Sequence, residues 1–334
     1  MEKNTEFTTS VAMCTYNGAK YLESQLRTIL NQTIPPDEII VCDDCSKDNS
    51  VSICRNILSG WDGKWEVVRN EQNLGFKKNF QKAISLCHGD IIFLSDQDDV
   101  WNTKKLEKML PVFHDPNVVL AFHDATLVNE NLEQLYPSFW RTLGFNPSDF
   151  SKGDYRIVFA HNVMQGAACC FRRKLFEIAA PFPLEAIHDE WLLLVGLSIG
   201  KVIPVSQTLL QYRQAQNAIG GMPLTIPDKI RKWWKTFNKG FDIHREYLKS
   251  RSQIFTLLVE RNREQGNYNQ FSANIVKFNE FLSTRIRKIN NRVDRLNKSK
   301  FNQWYFPFEA KKQWLKDWIY FLANLNSKNK GVSR

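Results

Sequence analysis

The chain has 334 residues, 43% of them hydrophobic and 24% charged, which is the composition of a globular protein with a sizeable core. Its seven cysteines lack the dense spacing of a disulfide scaffold and favour a reduced compartment. The formal net charge of +10 is uneven, because residues 1–220 carry a balance of −5 and residues 221–334 a balance of +15. We therefore predict two regions, 1–220 and a basic region over 221–334.

The sequence predicts neither a secretory signal nor a membrane span. The first ten residues contain no apolar segment, and the longest apolar stretch, residues 191–205, is interrupted by glycine and Lys201. We therefore expect a cytoplasmic protein. Cys42 and Cys45 form a CxxC pattern, but no second pair accompanies it, so a zinc or redox site is not favoured.

Short apolar runs alternate with segments of helical spacing over the first 122 residues. This alternation predicts an α/β fold with a mostly parallel sheet and helices on both faces. Neither GxGxxG nor GxxxxGK[ST] follows a predicted strand, which argues against dinucleotide and P-loop sites. The predicted strands are 11–14, 38–42, 65–68, 91–94 and 118–122, and the predicted helices include 76–86 and 104–113.

Polar side chains gather directly after these strands. Asp43 and Asp44 follow the second strand, and Asp96, Asp98 and Asp99 follow the fourth. In such a sheet these strand ends share one edge, where ligands bind. Three carboxylates this close repel one another, and a hard divalent cation such as Mg²⁺ or Mn²⁺ relieves the repulsion. The alternative is an acidic turn that caps the following helix.

Two later segments have both a functional and a structural interpretation. Residues 166–171 are predicted to form a strand of small residues, which could let a ligand approach the backbone closely or could pack tightly in the core. Asp189 and Glu190 begin a buried helix, where carboxylates often serve only the helix dipole. The residues alone leave both alternatives open.

The basic region combines a long amphipathic helix with aromatic clusters such as Trp233-Trp234 and Trp304-Tyr305-Phe306. Basic and aromatic residues together suit an anionic membrane surface. The alternatives are a helical subdomain whose aromatic residues form its own core, and a nucleic-acid-binding region, which no recognised motif supports. The apolar stripe of the helix consists of Ile275, Phe278, Leu282, Ile286, Ile289, Val293 and Leu296.

Five short motifs occur in the order seen in family-2 glycosyltransferases. The chain resembles this family over about residues 8–220, most closely its bacterial rhamnosyltransferase-like branch, which builds surface polysaccharides such as O-antigen. The resemblance implies an inverting, nucleotide-sugar-dependent enzyme with the GT-A fold. The motifs are Cys14-Thr15-Tyr16-Asn17-Gly18, Asp43-Asp44-Cys45-Ser46-Lys47-Asp48-Asn49-Ser50, Asn73-Leu74-Gly75, Asp96-Gln97-Asp98-Asp99-Val100-Trp101 and His188-Asp189-Glu190-Trp191.

The resemblance also implies roles for individual residues. Asp189 matches the catalytic base, and Asp96 and Asp98 match a DxD pair. In that pair Asp98 is the direct metal ligand and Asp96 lies near the metal or the ribose. Asp44 matches the carboxylate that hydrogen-bonds a pyrimidine base. The remaining implied nucleotide-sugar-binding residues are Thr15, Tyr16, Asn17, Lys78, Gln97 and Arg213.

These roles suit inverting sugar transfer. A carboxylate takes the proton of the acceptor hydroxyl as that oxygen attacks the anomeric carbon, through a transition state with oxocarbenium character. Mg²⁺ or Mn²⁺ neutralises the charge that develops on the departing diphosphate.

One departure from the family pattern follows Tyr212-Arg213-Gln214. Relatives commonly carry a His there, in a pattern like YRQHxxN, whereas this chain continues Ala215-Gln216-Asn217. Either Gln214, Gln216 or Arg213 substitutes for the His, or metal affinity is weaker, or some activity has been lost.

We therefore predict a metal-dependent glycosyltransferase that works at the inner face of the cytoplasmic membrane. Its expected partners are a dTDP- or UDP-linked donor, a glycan or lipid-linked acceptor and the membrane surface, with no nucleic acid. The alternative is a non-catalytic nucleotide-sugar-binding or scaffold protein that retains the fold.

Overall fold

The computed structural model describes residues 6–214, 240–266 and 269–297. These residues fall into two compact units, the first consisting of 6–214 with the short segment around 262–271 and the second of the remainder. The predicted boundary between residues 220 and 221 lies outside the described residues.

A mixed sheet of nine strands forms the centre of the first unit as described. The strands are β1 (Thr9–Thr15), β2 (Glu38–Asp43), β3 (Lys64–Arg69), β4 (Ile91–Ser95), β5 (Val100–Trp101), β6 (Val118–Val128), β7 (Gln134–Tyr136), β8 (Cys169–Arg172) and β9 (Lys201–Arg213). Their order is β3-β2-β1-β4-β8-β6-β9-β5, with β7 paired to β6.

The first half of the sheet is parallel and the second half is mixed. Strands β3, β2, β1 and β4 run parallel, β8 is antiparallel to both β4 and β6, and β9 is parallel to β6. Every residue of β1, β2 and β4 is buried, as expected for parallel strands covered on both faces. The predicted α/β class, with a mostly parallel but mixed sheet, is confirmed.

Helices follow most strands, as the alternation predicts. The predicted helix over 104–113 is shorter in the structure, because Pro111 lacks the amide hydrogen that continues a helix, and a 3-10 turn (Leu110–His114) takes over. The helices are α1 (Leu22–Leu30), α2 (Ser50–Leu58), α3 (Phe76–Ser85), α4 (Lys105–Met109), α5 (Phe139–Leu143), α6 (Pro147–Ser151), α7 (Arg156–Ala160), α8 (Arg173–Ala179), α9 (His188–Ile199), α10 (Gly240–Glu264) and α11 (Gln270–Asn297).

The small-residue segment divides into two elements. Gly166–Ala168 is a 3-10 turn, and only Cys169–Arg172 forms a strand. The second unit contains most of α10 and α11. There Ile275, Phe278 and Leu282 of the apolar stripe are buried and Ile286 is half-buried, and the ring of Phe278 packs on that of Phe255 with 5.4 Å between their centres. The aromatic clusters around residues 233 and 304 lie outside the described residues. No described helix combines the length and the apolar character that a membrane span requires.

Candidate active site

The carboxyl ends of β1, β2 and β4 meet at one edge of the sheet. Thr15 at the end of β1 pairs with Asp43 at the end of β2, and Met13 pairs with Ser95 at the end of β4. Because the three strands are parallel neighbours, the segments that follow them lie side by side. We call residues 96–99, which follow β4, the acidic loop.

Gln97 connects the acidic loop to the segment after β1. Its Oε1 accepts hydrogen bonds from Thr15 Oγ1 and from the Tyr16 backbone N–H, both at 2.8 Å, and its Nε2 donates to the Tyr16 carbonyl at 3.2 Å. Gly18 lies against the same side chain, since a Cβ there would stand 2.2 Å from Gln97 Oε1. The structure thus explains the glycine that ends the first motif.

Asn17 connects the segment after β1 to the segment after β2. Its N–H donates to Ser46 Oγ at 2.9 Å, and its Oδ1 accepts from the Lys47 N–H at 2.9 Å. Its φ of 49° lies in the left-handed region, which asparagine tolerates better than most residues. The Asn17 side chain therefore shapes the two loops.

Asp44 holds a third loop in place. Its Oδ1 accepts from Asn70 Nδ2 at 2.8 Å and from the Leu74 N–H at 2.7 Å, while its Oδ2 accepts from the Gly75 N–H at 2.9 Å. The residue is 3% exposed. Three of its roughly four lone-pair positions are in use, which leaves about one for a ligand.

The acidic loop concentrates negative charge. Burial and the neighbouring Asp98 and Asp189 raise the pKa of Asp96 to about 7, and burial raises the pKa of Asp98 against the opposing effect of Arg213. Asp99 is 1% exposed; its Oδ1 accepts from the Arg213 N–H at 3.0 Å, and its Oδ2 has no partner among the described residues. The crowded carboxyl groups favour either a proton or a cation.

The side chain of Arg213, the last residue of β9, donates hydrogen bonds to backbone carbonyl groups. Its Nε donates to the Asp98 carbonyl at 2.7 Å, another guanidinium nitrogen donates to the Glu130 carbonyl, and the guanidinium lies 4.3 Å from the centre of the Tyr21 ring. The residue is buried. Arg213 therefore fixes the acidic loop, and a contact to the nucleotide sugar stays a prediction.

Asp189 lies in the first turn of α9 and is 8% exposed. Burial raises its pKa to about 7, although the Glu190 N–H, which donates to Asp189 Oδ1 at 2.6 Å, opposes the shift. Because Asp189 in turn raises the pKa of Asp96, the structure brings these two carboxyl groups together. A carboxyl group that titrates near neutral pH is suited to proton transfer.

The sequence does not predict a role for Tyr212 in the site, although this residue begins the Tyr-Arg-Gln motif. Its pKa is raised first by burial and then by four surrounding carboxyl groups, so the phenol lies among the acidic residues. Those groups belong to Asp96, Asp98, Asp99 and Asp189.

The sequence also does not predict that Lys105 belongs to the site, because it is one of several lysines on a predicted helix. Its side chain is fully buried, its Nζ donates to the Ala167 carbonyl at 2.5 Å, and it lies 3.6 Å from the centre of the Trp101 ring. Burial lowers its pKa to about 7, against the opposing effect of nearby acidic groups that include Asp99 and Asp96. Only the tertiary structure places this ammonium group behind the acidic loop.

Lys78 stands apart from the other residues that the sequence predicts to bind the nucleotide sugar. It is exposed on α3 and lines a cavity of about 540 Å³ together with Leu74 and Phe182. Gln214, one of the candidates to replace the missing His, is buried, and neither its Nε2 nor its Oε1 has a partner among the described residues. Gln216, the other glutamine candidate, lies outside the described residues.

The acidic loop suits Mg²⁺ or Mn²⁺ by its chemistry. It offers hard oxygen donors, and Asp99 Oδ2 is buried and unpartnered in the part of the chain that the structure describes. Within those residues, no three His, Cys, Asp or Glu side chains are arranged to hold a metal ion. A cation bound by Asp96 and Asp98 would therefore complete its coordination with water and substrate phosphates, as Mg²⁺ commonly does.

Comparison with known proteins adds sequence evidence. The model of a family described as Glycosyl transferase family 2 matches residues 10–178, just over half of the chain. An uncharacterized glycosyltransferase of Nostoc sp. is 30% identical over 217 residues, which cover 61% of this chain and 64% of that protein. The dTDP-rhamnosyl transferase RfbG of Shigella flexneri is 29% identical over 147 residues, covering 43% and 48%. The chain thus spans less than two thirds of the length of either relative.

Solved structures share the fold at low identity. TarS of S. aureus in complex with UDP-GlcNAc has a TM-score of 0.52 and 17% identity, with 76% of this chain and 72% of that chain covered. The mannosyltransferase PcManGT from Pyrobaculum calidifontis, in complex with GDP-Man and Mn²⁺, has a TM-score of 0.51 and 16% identity, with 99% and 89% covered. These likenesses confirm the predicted GT-A-type fold.

Proposed function

The chain belongs to glycosyl transferase family 2, and we propose that it transfers a sugar from a nucleotide-diphosphate donor to a hydroxyl group, with inversion at the anomeric carbon. The observation that carries the proposal is the convergence of two buried carboxyl groups: burial raises the pKa of Asp96 and of Asp189 to about 7, and the charge of Asp189 contributes to the shift of Asp96. Asp96 lies in the acidic loop and Asp189 lies on α9. Because the two carboxyl groups belong to separate segments, one can contact the donor while the other acts as the base.

Asp189 is the proposed base. Its carboxylate accepts the proton of the acceptor hydroxyl while that oxygen bonds to the anomeric carbon, and the bond from this carbon to the diphosphate oxygen breaks. Attack from the face opposite the leaving group inverts the configuration. A hydrogen bond from the Glu190 N–H supports this role because it orients the carboxylate.

The acidic loop is the proposed metal and diphosphate site. Asp98 would ligate Mg²⁺ or Mn²⁺ directly, and Asp96 would contact the ion or the ribose. A bound ion neutralises the negative charge that develops on the departing diphosphate. The hard oxygen donors of the loop support this assignment, as does the Mn²⁺ in the PcManGT complex.

The nucleotide is proposed to bind along the edge formed by the loops after β1 and β2. Asp44 has about one lone-pair position left for the base, and Tyr16 is 46% exposed, so its ring offers a face to the ligand. Thr15, Asn17 and Gln97 hold these loops in position. Contacts from Lys78 and Arg213 to the donor complete the proposal.

The proposed donor is dTDP-rhamnose or a UDP-hexose, and the proposed acceptor is a growing surface polysaccharide or a lipid-linked glycan. RfbG, a relative, is named as a dTDP-rhamnosyl transferase, and TarS, a structural neighbour, was solved with UDP-GlcNAc. These names support a nucleoside-diphosphate sugar as the class of donor.

Calorimetry of UDP, dTDP and GDP, each with and without Mn²⁺, tests the donor site. We expect one nucleotide to bind at least tenfold more tightly with Mn²⁺, because a cation held by Asp96 and Asp98 would offset the negative charge of the diphosphate. Preference for dTDP would indicate rhamnose or a related deoxysugar, and preference for UDP a common hexose.

The same titrations can contradict the proposal. No binding of any nucleotide, with or without Mn²⁺, would remove the donor site. Tight binding without donor hydrolysis or transfer would instead favour a non-catalytic nucleotide-sugar-binding protein.

We also propose that the basic region brings the enzyme to the inner face of the cytoplasmic membrane. The support is its charge balance of +15 and its aromatic residues. The full chain should sediment with anionic phosphatidylglycerol vesicles and not with neutral phosphatidylcholine vesicles, and binding should weaken as salt rises. Changing Lys311, Lys312 and Lys316 to Glu should reduce sedimentation with the anionic vesicles. Equal binding to both vesicle types would contradict the proposal.

A further inference from the structure

We propose that the Gly166–Ala168 turn and the His188 imidazole together position the Asp189 carboxylate. Gly166 and His188 are then positioning residues for the transfer reaction. The inference rests on the proposed role of Asp189 as the base, and it gives a function to the small-residue segment that the sequence left open.

The turn packs against the first turn of α9, which carries the carboxylate. Gly166 lies against His188, the residue directly before Asp189, and the Asp189 carboxylate accepts from the Glu190 N–H of the same helix at 2.6 Å. The position of His188 therefore sets the position of the carboxylate. A displacement of the imidazole by the turn would change the direction of the base.

The turn approaches His188 so closely that only glycine fits at its first position. A Cβ on Gly166 would lie 2.7 Å from His188 Nε2, closer than Cβ contacts in real structures. The φ of Gly166 is not in the positive region, so space and not backbone conformation requires the glycine. A larger residue must move either the turn or the imidazole.

The imidazole cannot move easily. Its ring stacks on that of Phe80, with 4.1 Å between centres and 19° between planes, and meets Phe76 edge-on at 6.1 Å. His188 is 5% exposed, and neither ring nitrogen has a hydrogen-bond partner among the described residues. Burial, and then the charge of Lys77, lower its pKa to about 3, so the ring is neutral and acts as a rigid wall.

The other end of the turn is held as firmly. The Lys105 ammonium donates to the Ala167 carbonyl at 2.5 Å, and Ala167 and Ala168 are fully buried. The turn is therefore confined between the ammonium on one side and the imidazole on the other. Shape and hydrogen bonding together hold the turn against His188 and thereby fix the first turn of α9, which carries Asp189.

Gly166→Ala tests this arrangement. We expect kcat for release of nucleoside diphosphate from the donor to fall about 100-fold, with nucleotide affinity changed less than twofold, because a base displaced by about 1 Å loses rate and not donor binding. Gly60→Ala is the matched control, since a Cβ there meets nothing closer than 3.9 Å.

The double variant Gly166→Ala, His188→Ala separates positioning from general damage. Removing the imidazole makes room for the new methyl group, so kcat should recover at least tenfold relative to Gly166→Ala alone. If Gly166→Ala does not fold, His188→Ala removes the imidazole without adding bulk and should lower kcat several-fold, again with nucleotide affinity retained.

Different experimental results would contradict the inference and the proposed function. Wild-type kcat in Gly166→Ala would overturn the inference, as would a double variant no faster than the single one. Full turnover of Asp189→Asn would overturn the base assignment itself. In that case a slow Gly166→Ala variant would no longer support positioning of a base.

Discussion

Replacing Asp189 with Asn should lower kcat by roughly 10³-fold while leaving nucleotide binding almost unchanged. The amide keeps the shape of the side chain but cannot take the proton of the acceptor hydroxyl. Release of nucleoside diphosphate from the preferred donor measures kcat, and calorimetry measures binding. Asp62→Asn is the control, because Asp62 is an exposed carboxylate on the surface of the same unit.

The pH dependence of the wild-type enzyme follows from the same group. The pKa of Asp189 is raised to about 7, so its basic form is lost as the pH falls below 7. Turnover should therefore rise about tenfold per pH unit below 7 and level off above it. The titratable groups Glu190, Asp96 and Tyr212 also face Asp189, so the observed value belongs to the cluster.

The Asn variant distinguishes Asp189 from its neighbours. If Asp189 is the base, the acidic limb disappears in Asp189→Asn, because no other group replaces it. Wild-type turnover in that variant, or an unchanged acidic limb, would show that another residue takes the proton.

Replacing Asp44 with Ala should lower the free energy of unfolding by about 3–5 kcal/mol. The buried carboxylate accepts hydrogen bonds from Asn70, Leu74 and Gly75, and its removal leaves these donors without their partner. Urea unfolding followed by tryptophan fluorescence measures the change. Nucleotide affinity should fall as well, since the loop after β3 borders the proposed base pocket.

Two further variants calibrate the Asp44 result. Asp44→Asn should cost less than Asp44→Ala, because the amide oxygen still accepts one or two of the three bonds. Asp62→Ala should leave the unfolding midpoint unchanged. A loss of less than about 1 kcal/mol in Asp44→Ala would mean that water satisfies the loop amides and that Asp44 is not a structural anchor.

Much of the first unit was predictable because its signals are local. Apolar runs ended by polar residues identify the parallel strands, and the alternation of strands and helices places their carboxyl ends at one edge. The differences arise where a single residue changes local geometry. Pro111 ends α4 early, and the small residues at 166–168 form a 3-10 turn before β8 begins.

The side chains of the site were only partly predictable. The acidic residues stand out because several carboxylates follow a buried strand, and Asp189 stands out because it begins a buried helix. Lys105 carries no such signal, since a lysine on a helix is common in solvated positions, and His188 stands out only as the first residue of the His-Asp-Glu-Trp motif. Their importance comes from burial against distant segments.

The sequence by itself determined the class of fold, the sheet edge that carries the polar residues and the acidic residues available for chemistry. These features depend on periodicity and on the order of residues along the chain. Only the tertiary structure decided which partners each group has. It directs Arg213 to backbone carbonyls, confines the Gly166 turn against His188 and brings Asp96 to Asp189, because these contacts join residues far apart in the chain.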